Sequence, residues 1–243
     1  MDDLQEQETA DLENLGQFCF VSCWTEDAVE QIPMWKMYTS LDSGVRIKLP
    51  KYPFLEMENR PEDMEKLSGI QIIDETEGEY PKTIIPFRDM IERGFITPDS
   101  FKQERILHKV EYTADKNKLY PRIFNQTNDE MSFALGKMGK YKSLGWDFQR
   151  EWRYILRILP FDIANVSKMM ENISLMANQL RNGTATLPFS YYDLHINDEA
   201  FSKMEIMLSP KINAGNRVIV RDLVEKYNPS AIIVESDYKD KIA

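Results

Sequence analysis

The stretch Trp146-Asp-Phe-Gln-Arg-Glu-Trp-Arg-Tyr154 gives the clearest indication of a β-strand in this chain. Successive side chains of a β-strand point to opposite faces of the sheet, so alternate residues share a face. One face carries Trp152, Tyr154, Leu156 and Ile158, and the other carries Gln149, Glu151, Arg153 and Arg157. We therefore predict a strand with one face in the core and a row of polar and charged groups on the other.

Glu151 is the strongest candidate for a functional residue on the predicted polar face, because Gln149 and Arg153 flank it. A carboxylate at this position could hold a ligand hydroxyl, stabilise a developing cation, or form structural ion pairs with neighbouring arginines. The sequence leaves these three interpretations open.

Hydrophobic periodicity outside this strand predicts short strands that alternate unevenly with helices. Strands are predicted at 17–23, 45–49, 70–73, 82–85, 106–113, 191–196, 204–208 and 231–235, and helices from Pro33 and at 127–138, 162–181 and 215–227. This pattern favours an α+β fold with mixed, largely antiparallel sheets flanked by helices. Residues 1–16 are predicted to be an acidic N-terminal helix or a disordered segment, and residues 17–243 a single α+β domain.

The net charge of −10 is unevenly distributed along the chain. The first thirty residues hold nine acidic side chains and no lysine or arginine, and an acidic protein is not expected to bind duplex nucleic acid. The stretch from Lys137 to Arg157 is the exception, since six basic residues face two acidic ones. This basic stretch is either a solvated surface or a pocket for an anion such as a nucleotide diphosphate.

Cysteine, histidine and hydropathy patterns exclude several classes of protein. Cys19 and Cys23 lie four residues apart on a predicted strand, which separates their Cα atoms by about 13 Å. A disulfide needs less than about 7 Å, so both are interpreted as small buried hydrophobes. With only His108 and His195 besides, zinc-ligand spacing is absent and no metal is expected. No apolar run of membrane-spanning length and no signal peptide occurs, which predicts a cytoplasmic protein without membrane association.

Three segments together resemble a known bacterial family. They are Phe20-Val-Ser-Cys-Trp24 followed by Ile32-Pro-Met-Trp-Lys-Met-Tyr38, then Trp146 with Glu151-Trp-Arg153, and finally Met207-Leu-Ser-Pro-Lys211 ahead of a helix and a last strand. Their order and spacing are similar to the bacterial domain-of-unknown-function family 2971, over most of the chain from Gln17 onward. The layout of that family is in turn similar to ADP-ribosyltransferase folds, including toxins that modify DNA.

The resemblance implies an NAD-using enzyme of toxin or phage-defence type, with two catalytic residues. Gln149-x-Glu151 matches the Gln/Glu-x-Glu spacing seen in some members of the ADP-ribosyltransferase group. Glu151 would orient the ribose 2′-hydroxyl and offset the charge of the ribosyl cation, and Gln149 would position the acceptor.

The resemblance also implies a set of ligand-binding residues. Ser22 would contact the nicotinamide ribose, and Trp24, Trp35 or Tyr38 would stack on the nicotinamide. Family members usually begin with a further strand ahead of the serine strand, which this chain is expected to lack. In the related folds that strand supplies the arginine for the pyrophosphate, so Arg153 or Lys142 would have to replace it.

Two functions from different classes follow from these observations. The first is the ADP-ribosyltransferase-like enzyme, for which Ser22 and Glu151 are expected to line one cleft with Tyr38 at its rim. The second is a non-catalytic sensor or protein-interaction module, which the acidic first thirty residues and an exposed sheet edge would favour.

Overall fold

A computed structural model of the protein describes residues 15–60, 80–99, 102–126, 131–162 and 168–242. The chain separates into two compact units, the first made of Met1–Glu26 and Glu56–Leu194 and the second of Asp27–Leu55 and His195–Ala243. Residues 17–243, which were expected to form a single domain, are divided between these two units. Among the described residues, no helix combines the length and the apolar character that crossing a membrane requires.

The described elements are short strands with a few helices between them, as an α+β fold predicts. The strands are β1 (Cys19–Thr25), β2 (Val45–Lys48), β3 (Met57–Glu58), β4 (Lys82–Thr83), β5 (Phe95–Ile96), β6 (Leu107–Lys109), β7 (Glu111–Thr113), β8 (Phe124–Gln126), β9 (Met131–Phe133), β10 (Tyr141–Ser143), β11 (Glu151–Arg157), β12 (Leu159–Pro160), β13 (Glu205–Leu208) and β14 (Ile232–Val234). The helices are α1 (Ile32–Tyr38), α2 (Phe87–Arg93), α3 (Gln103–Ile106), α4 (Lys116–Leu119), α5 (Met169–Arg181), α6 (Asp198–Ser202) and α7 (Ala214–Tyr227).

Unit 1 is organised around an antiparallel sheet in which β11 lies between β1 and β6. The register pairs Thr25 with Glu151 and Cys23 with Arg153, and it pairs Arg153 with His108 on the other side. Among the described residues of unit 1, four two-stranded sheets accompany it, and of these β10 with β7 is the parallel one. The α+β class and the largely antiparallel sheets expected from the sequence are therefore confirmed, and the sheets are small.

The hydrophobic core of unit 1 includes a cluster that joins the start of β1 to helix α5. Its buried members are Leu15, Phe18, Ile123, Met138, Leu180 and Ala185, and Cys19 packs against them. Removal of these side chains from water is the main favourable term that holds β1 and α5 together.

Unit 2 is a three-stranded sheet with the order β14-β13-β2, in which β13 is parallel to β14 and antiparallel to β2. Helix α7 makes the crossover between the two parallel strands. Asn213 caps this helix because its side chain accepts a hydrogen bond from the amide of Asn216. Helix α1 begins next to Pro33, as the sequence predicted.

Several predicted elements are confirmed and others are wrong. The predicted strands at 45–49, 204–208 and 231–235 and the helix at 215–227 correspond to β2, β13, β14 and α7, each within two residues at either end. The single strand predicted at 106–113 is two strands in the structure, β6 and β7, separated by Val110. The predictions at 1–14 and 70–73 lie outside the described residues.

The helix predicted over 127–138 is wrong, and residues 131–137 form a strand and a 3-10 turn instead. Strand β9 pairs with β8 as a hairpin, and the rings of Phe124 and Phe133 pack with their centroids 5.2 Å apart. This cross-strand aromatic pair stabilises the hairpin over a helix, in a segment that also contains Gly136, a residue that disfavours helix.

The strand predicted over 191–196 is also wrong. These residues form an irregular segment in which an aromatic side chain packs within unit 1. Tyr192 contacts Phe95 and Phe189 and donates a hydrogen bond to Asp89. Within the described part of the chain, the main chain of this segment forms a single β-bridge, between Phe54 and Ile196.

Candidate functional site

The Glu151 cluster, defined as Glu151 with Gln149, Lys142 and Arg153, lies at the start of strand β11. Glu151 is only 5% exposed. Its Oε1 accepts a hydrogen bond from Arg153 Nε at 2.7 Å, and its Oε2 accepts from Lys142 Nζ at 3.1 Å and Arg153 Nη2 at 3.3 Å. Lys142 Nζ also donates to Gln149 Oε1 at 2.6 Å. Four of the eight predicted site residues therefore meet at one point.

Two of the side chains that hydrogen-bond to Glu151 come from the parallel strand pair β7 and β10. Tyr112 and Lys142 are register partners in this pair. The Tyr112 hydroxyl accepts a hydrogen bond from the Glu151 amide at 2.8 Å, while Lys142 reaches the carboxylate. The Lys142 ammonium also lies over the ring of Trp146, 4.9 Å from its centroid.

Gln149 reaches the cluster from a 3-10 segment, not from the strand on which it was predicted. This segment spans Leu144–Gln149, and Arg150 follows it with φ of 45° in the left-handed region. That turn interrupts the alternation, so the prediction that Gln149 shares a strand face with Glu151 is wrong. Gln149 is nevertheless almost fully buried, and its carbonyl accepts a hydrogen bond from Thr25 Oγ1 at 2.8 Å.

Gly139 fixes the position of the Arg153 guanidinium. Arg153 Nη1 donates to the Gly139 carbonyl at 2.9 Å. Gly139 has φ of 73°, and a Cβ atom there would come within 3.1 Å of Ile155 Cδ1 and 3.4 Å of Cys19 Sγ. Only glycine combines this backbone conformation with such a close approach.

The electrostatic environment keeps Glu151 ionised. Burial raises the pKa of its carboxyl, but hydrogen bonds from Arg153 and Cys23 and the charges of Arg153 and Lys142 outweigh burial, so the pKa ends below its ordinary value. An ionised carboxylate can accept hydrogen bonds from hydroxyls or stabilise a cation, and it cannot act as a general acid near neutral pH.

Cys23 marks the side on which the cluster meets solvent. It is exposed, and it is the register partner of Arg153. Partial burial of its thiol group, the hydrogen bond to Glu151 and the Glu151 charge raise the pKa of the thiol to about 11, so the thiol is a hydrogen-bond donor and a poor nucleophile. The interpretation of Cys23 as a buried hydrophobe is wrong, whereas Cys19 is half-buried against the core, and burial raises the pKa of its thiol to about 11.

His108 is a residue on this face that the sequence did not single out. It is the register partner of Arg153 on β6, so Cys23, Arg153 and His108 form one row across the three strands. Burial and the charges of Lys140 and Arg157 lower its pKa, which keeps the ring neutral. The ring hydrogen-bonds to the Arg105 backbone, and among the described residues Nε2 is buried without a hydrogen-bond partner.

Ser22 and Trp24 lie on the opposite face of the same sheet. Ser22 pairs with Tyr154 in the register, three residues from Glu151, and an odd offset places two residues on opposite faces. Trp24 Nε1 donates to Ser22 Oγ at 2.9 Å, and its ring packs edge-on against Tyr154. The expectation that Ser22 and Glu151 line one cleft is therefore wrong, because the sheet separates them.

Trp35 and Tyr38, the two other predicted stacking residues, belong to unit 2. Trp35 is buried, and its indole Nε1 donates to Glu30 Oε2 at 2.8 Å. The same carboxylate accepts a hydrogen bond from Ser236 Oγ at 2.6 Å, so Trp35 anchors helix α1 to the end of the chain. Tyr38 is exposed.

The basic stretch from Lys137 to Arg157 is less positive in space than in sequence. Arg157 forms a bidentate pair with buried Asp99, with Nε to Oδ2 at 2.7 Å and Nη2 to Oδ1 at 2.5 Å. Arg150 lies 3.5 Å from Glu26. Both acids come from outside the stretch, and their charges offset those of Arg157 and Arg150.

Metal coordination and comparisons with known proteins add no further site. The described part of the chain contains no group of three or more histidine, cysteine, aspartate or glutamate residues that could hold a metal ion. No protein-family model, no curated protein and no solved structure matches this chain. The resemblance to the domain-of-unknown-function family therefore stays a prediction.

Proposed function

We propose that unit 1 binds a nucleotide-like anion at the Glu151 cluster and that this ligand is NAD, used in an ADP-ribosyltransferase-like reaction. The observation that carries the proposal is the meeting of Gln149, Glu151, Lys142 and Arg153 around one buried, ionised carboxylate. Ser22, Trp24, Trp35 and Tyr38 are not part of the proposed site.

The net positive charge of the Glu151 cluster supports an anionic ligand. The cluster holds two cations and one carboxylate, so one positive charge is in excess after the internal pairs form. Lys140 precedes β10 by one residue and adds a further positive charge to the same segment. A diphosphate next to Lys142 and Arg153 would offset this excess through charge-assisted hydrogen bonds.

The ionised state of Glu151 suits the role that the family resemblance implies for it. In the proposed reaction the bond between ribose C1′ and the nicotinamide nitrogen breaks, and nicotinamide leaves with the electron pair. Water or an acceptor nucleophile then bonds to C1′ and releases a proton to solvent. A carboxylate held ionised in a water-poor environment stabilises the positive charge that develops on the ribose.

Calorimetric titration with NAD and an assay of nicotinamide release test the proposal directly. We expect the wild-type protein to bind NAD and release nicotinamide, and we expect Glu151→Gln to lose at least tenfold in release rate. Asp99→Asn is the matched control, because it also breaks a buried ion pair on the same sheet face but lies outside the cluster. Circular dichroism at the assay temperature establishes that each variant is folded.

Two outcomes would contradict the proposal. In the first, the wild-type protein neither binds NAD nor releases nicotinamide. In the second, Glu151→Gln and Asp99→Asn change NAD binding and nicotinamide release equally. This result would indicate that the Glu151 cluster is a structural ion-pair network.

The alternative proposal is a non-catalytic sensor or protein-interaction module built on the same fold. It predicts that NAD binds with no release of nicotinamide, or that a different anion such as ADP binds in its place. Titrations with NAD, ADP and inorganic diphosphate separate these outcomes, because only the enzyme proposal requires turnover.

A further inference from the structure

Helix α7 carries an apolar stripe that the described residues of its own unit leave exposed. Ile219, Leu223 and Tyr227 are spaced four residues apart, so they follow one side of the helix. They are 55%, 51% and 61% exposed. The half-buried valines, Val220 and Val224, lie next to this stripe. The apolar side of α7 is therefore wider than the part that its own unit covers.

The charges that border the stripe are self-complementary. Asp222 and Lys226 are four residues apart on the flank of the stripe that faces away from Val220 and Val224. Within the described chain, neither residue forms an ion pair, and Lys226 lies over the Tyr227 ring at 4.8 Å. If two copies of the helix ran antiparallel about a two-fold axis at residue 224, each Asp222 would face the Lys226 of the other copy.

The same axis aligns the apolar residues. At a rise of about 1.5 Å per residue, the two copies of Leu223 would be offset by only about 3 Å along the helix axis. Ile219 of one copy would face Tyr227 of the other with the same offset of about 3 Å. One symmetry operation therefore pairs both the apolar stripe and its flanking charges, which is the property of an isologous interface.

We propose that a second copy of this chain covers the stripe, and that the protein forms a two-fold dimer through antiparallel α7 helices. Three apolar side chains and two ion pairs make a small interface, of the class that associates weakly and reversibly. This inference does not depend on NAD binding, because α7 belongs to unit 2 and the Glu151 cluster to unit 1.

Sedimentation equilibrium of the full chain, from low micromolar to about millimolar concentration, tests the proposal. We expect the weight-average mass to rise from 28.5 kDa towards twice that value. Ile219→Glu should raise the dissociation constant at least tenfold, because it places a charge in the stripe. Val218→Glu is the matched control, since Val218 is 54% exposed but lies about 140° around the helix from Leu223.

Charge reversal tests the symmetry of the proposed dimer. Asp222→Lys alone and Lys226→Asp alone should each weaken association at least threefold, because each places like charges against one another. The double variant should restore association to within about twofold of wild type. These residues are exposed, so the variants are expected to fold, and a thermal melt checks this.

Three results would overturn the proposal. They are a wild-type chain that stays monomeric up to millimolar concentration, equal effects of Ile219→Glu and Val218→Glu, and a double charge-reversal variant that associates no better than the single ones.

Discussion

The two faces of the sheet formed by β1, β11 and β6 differ in what their side chains do. On one face, the rings of Trp24 and Tyr154 meet edge to face, and Phe20 packs against Phe189. On the other face, Glu151 and Arg153 form charged hydrogen bonds, next to an exposed thiol at Cys23.

The comparison shows that a single strand can serve a core and a polar site at once. Strand β11 alternates between aromatic or aliphatic residues on one face and mostly charged residues on the other. Burial of apolar area stabilises the first face, whereas the second must be stabilised by complete pairing of its buried charges. We therefore expect mutations on the two faces to differ in what they change.

Tyr154→Ala should produce the largest loss of stability on the aromatic face. Tyr154 is buried and contacts Trp24, so its removal leaves a cavity that should lower the free energy of unfolding by about 3–5 kcal/mol. Tyr154→Phe keeps the ring and should cost less than about 1.5 kcal/mol. Urea unfolding of both variants measures this. A loss below about 1 kcal/mol for the alanine variant would show that this face is not a packed core.

Glu151→Gln should destabilise the polar face by about 3 kcal/mol at neutral pH, because it leaves Arg153 and Lys142 without their carboxylate. Its pH dependence distinguishes it from a packing defect. The pKa of Glu151 lies below its ordinary value, so the ion pairs contribute fully above that ordinary value and are lost as the pH falls through the lowered pKa.

Urea midpoints at pH 7, 5 and 3 for wild type and Glu151→Gln measure this dependence. The difference between the two proteins should be the same at pH 7 and 5 and smaller at pH 3. A difference that stays constant down to pH 3 would argue that Glu151 acts through packing alone.

His108→Asn should have the smallest effect on stability, and it tests whether the buried Nε2 of His108 lacks a hydrogen-bond partner. The asparagine amide can still donate to the Arg105 backbone, while the buried Nε2 without a partner is removed. We expect stability at pH 7 to rise by up to about 1 kcal/mol.

The pH dependence of the His108 variant follows from the same lowered pKa. Because the folded pKa lies below 6.5, protonation favours the unfolded chain, and wild-type stability falls as the pH drops below 6.5. This part of the pH dependence should vanish in His108→Asn. A loss of more than about 1 kcal/mol at pH 7 would indicate that Nε2 has a partner in solution.

The sequence predicted β11 and its two faces well, because alternation within one strand is a local property. It could not predict the register of β1 against β11, on which the faces of the two strands depend. A shift by one residue would have placed Ser22 opposite Arg153 or Ile155, on the same face as Glu151, and nothing within β1 distinguishes the registers.

The residues that complete the Glu151 cluster come from non-local pairing, which sequence patterns do not reveal. Tyr112 reaches Glu151 through the parallel pair of β7 and β10, and His108 reaches the row through β6. Gln149 was identified correctly as a neighbour of Glu151, but the left-handed turn at Arg150 that brings it there has no glycine to signal it.

We propose that a ligand binds on the polar face of this sheet and not on the aromatic face. The most direct measurement compares NAD titrations of two bulky variants at adjacent exposed positions, Cys23→Trp on the polar face and Ser22→Trp on the opposite face. We predict that Cys23→Trp weakens NAD binding at least tenfold while Ser22→Trp stays within about twofold of wild type. Equal binding by the two variants, or stronger interference from Ser22→Trp, would contradict the account.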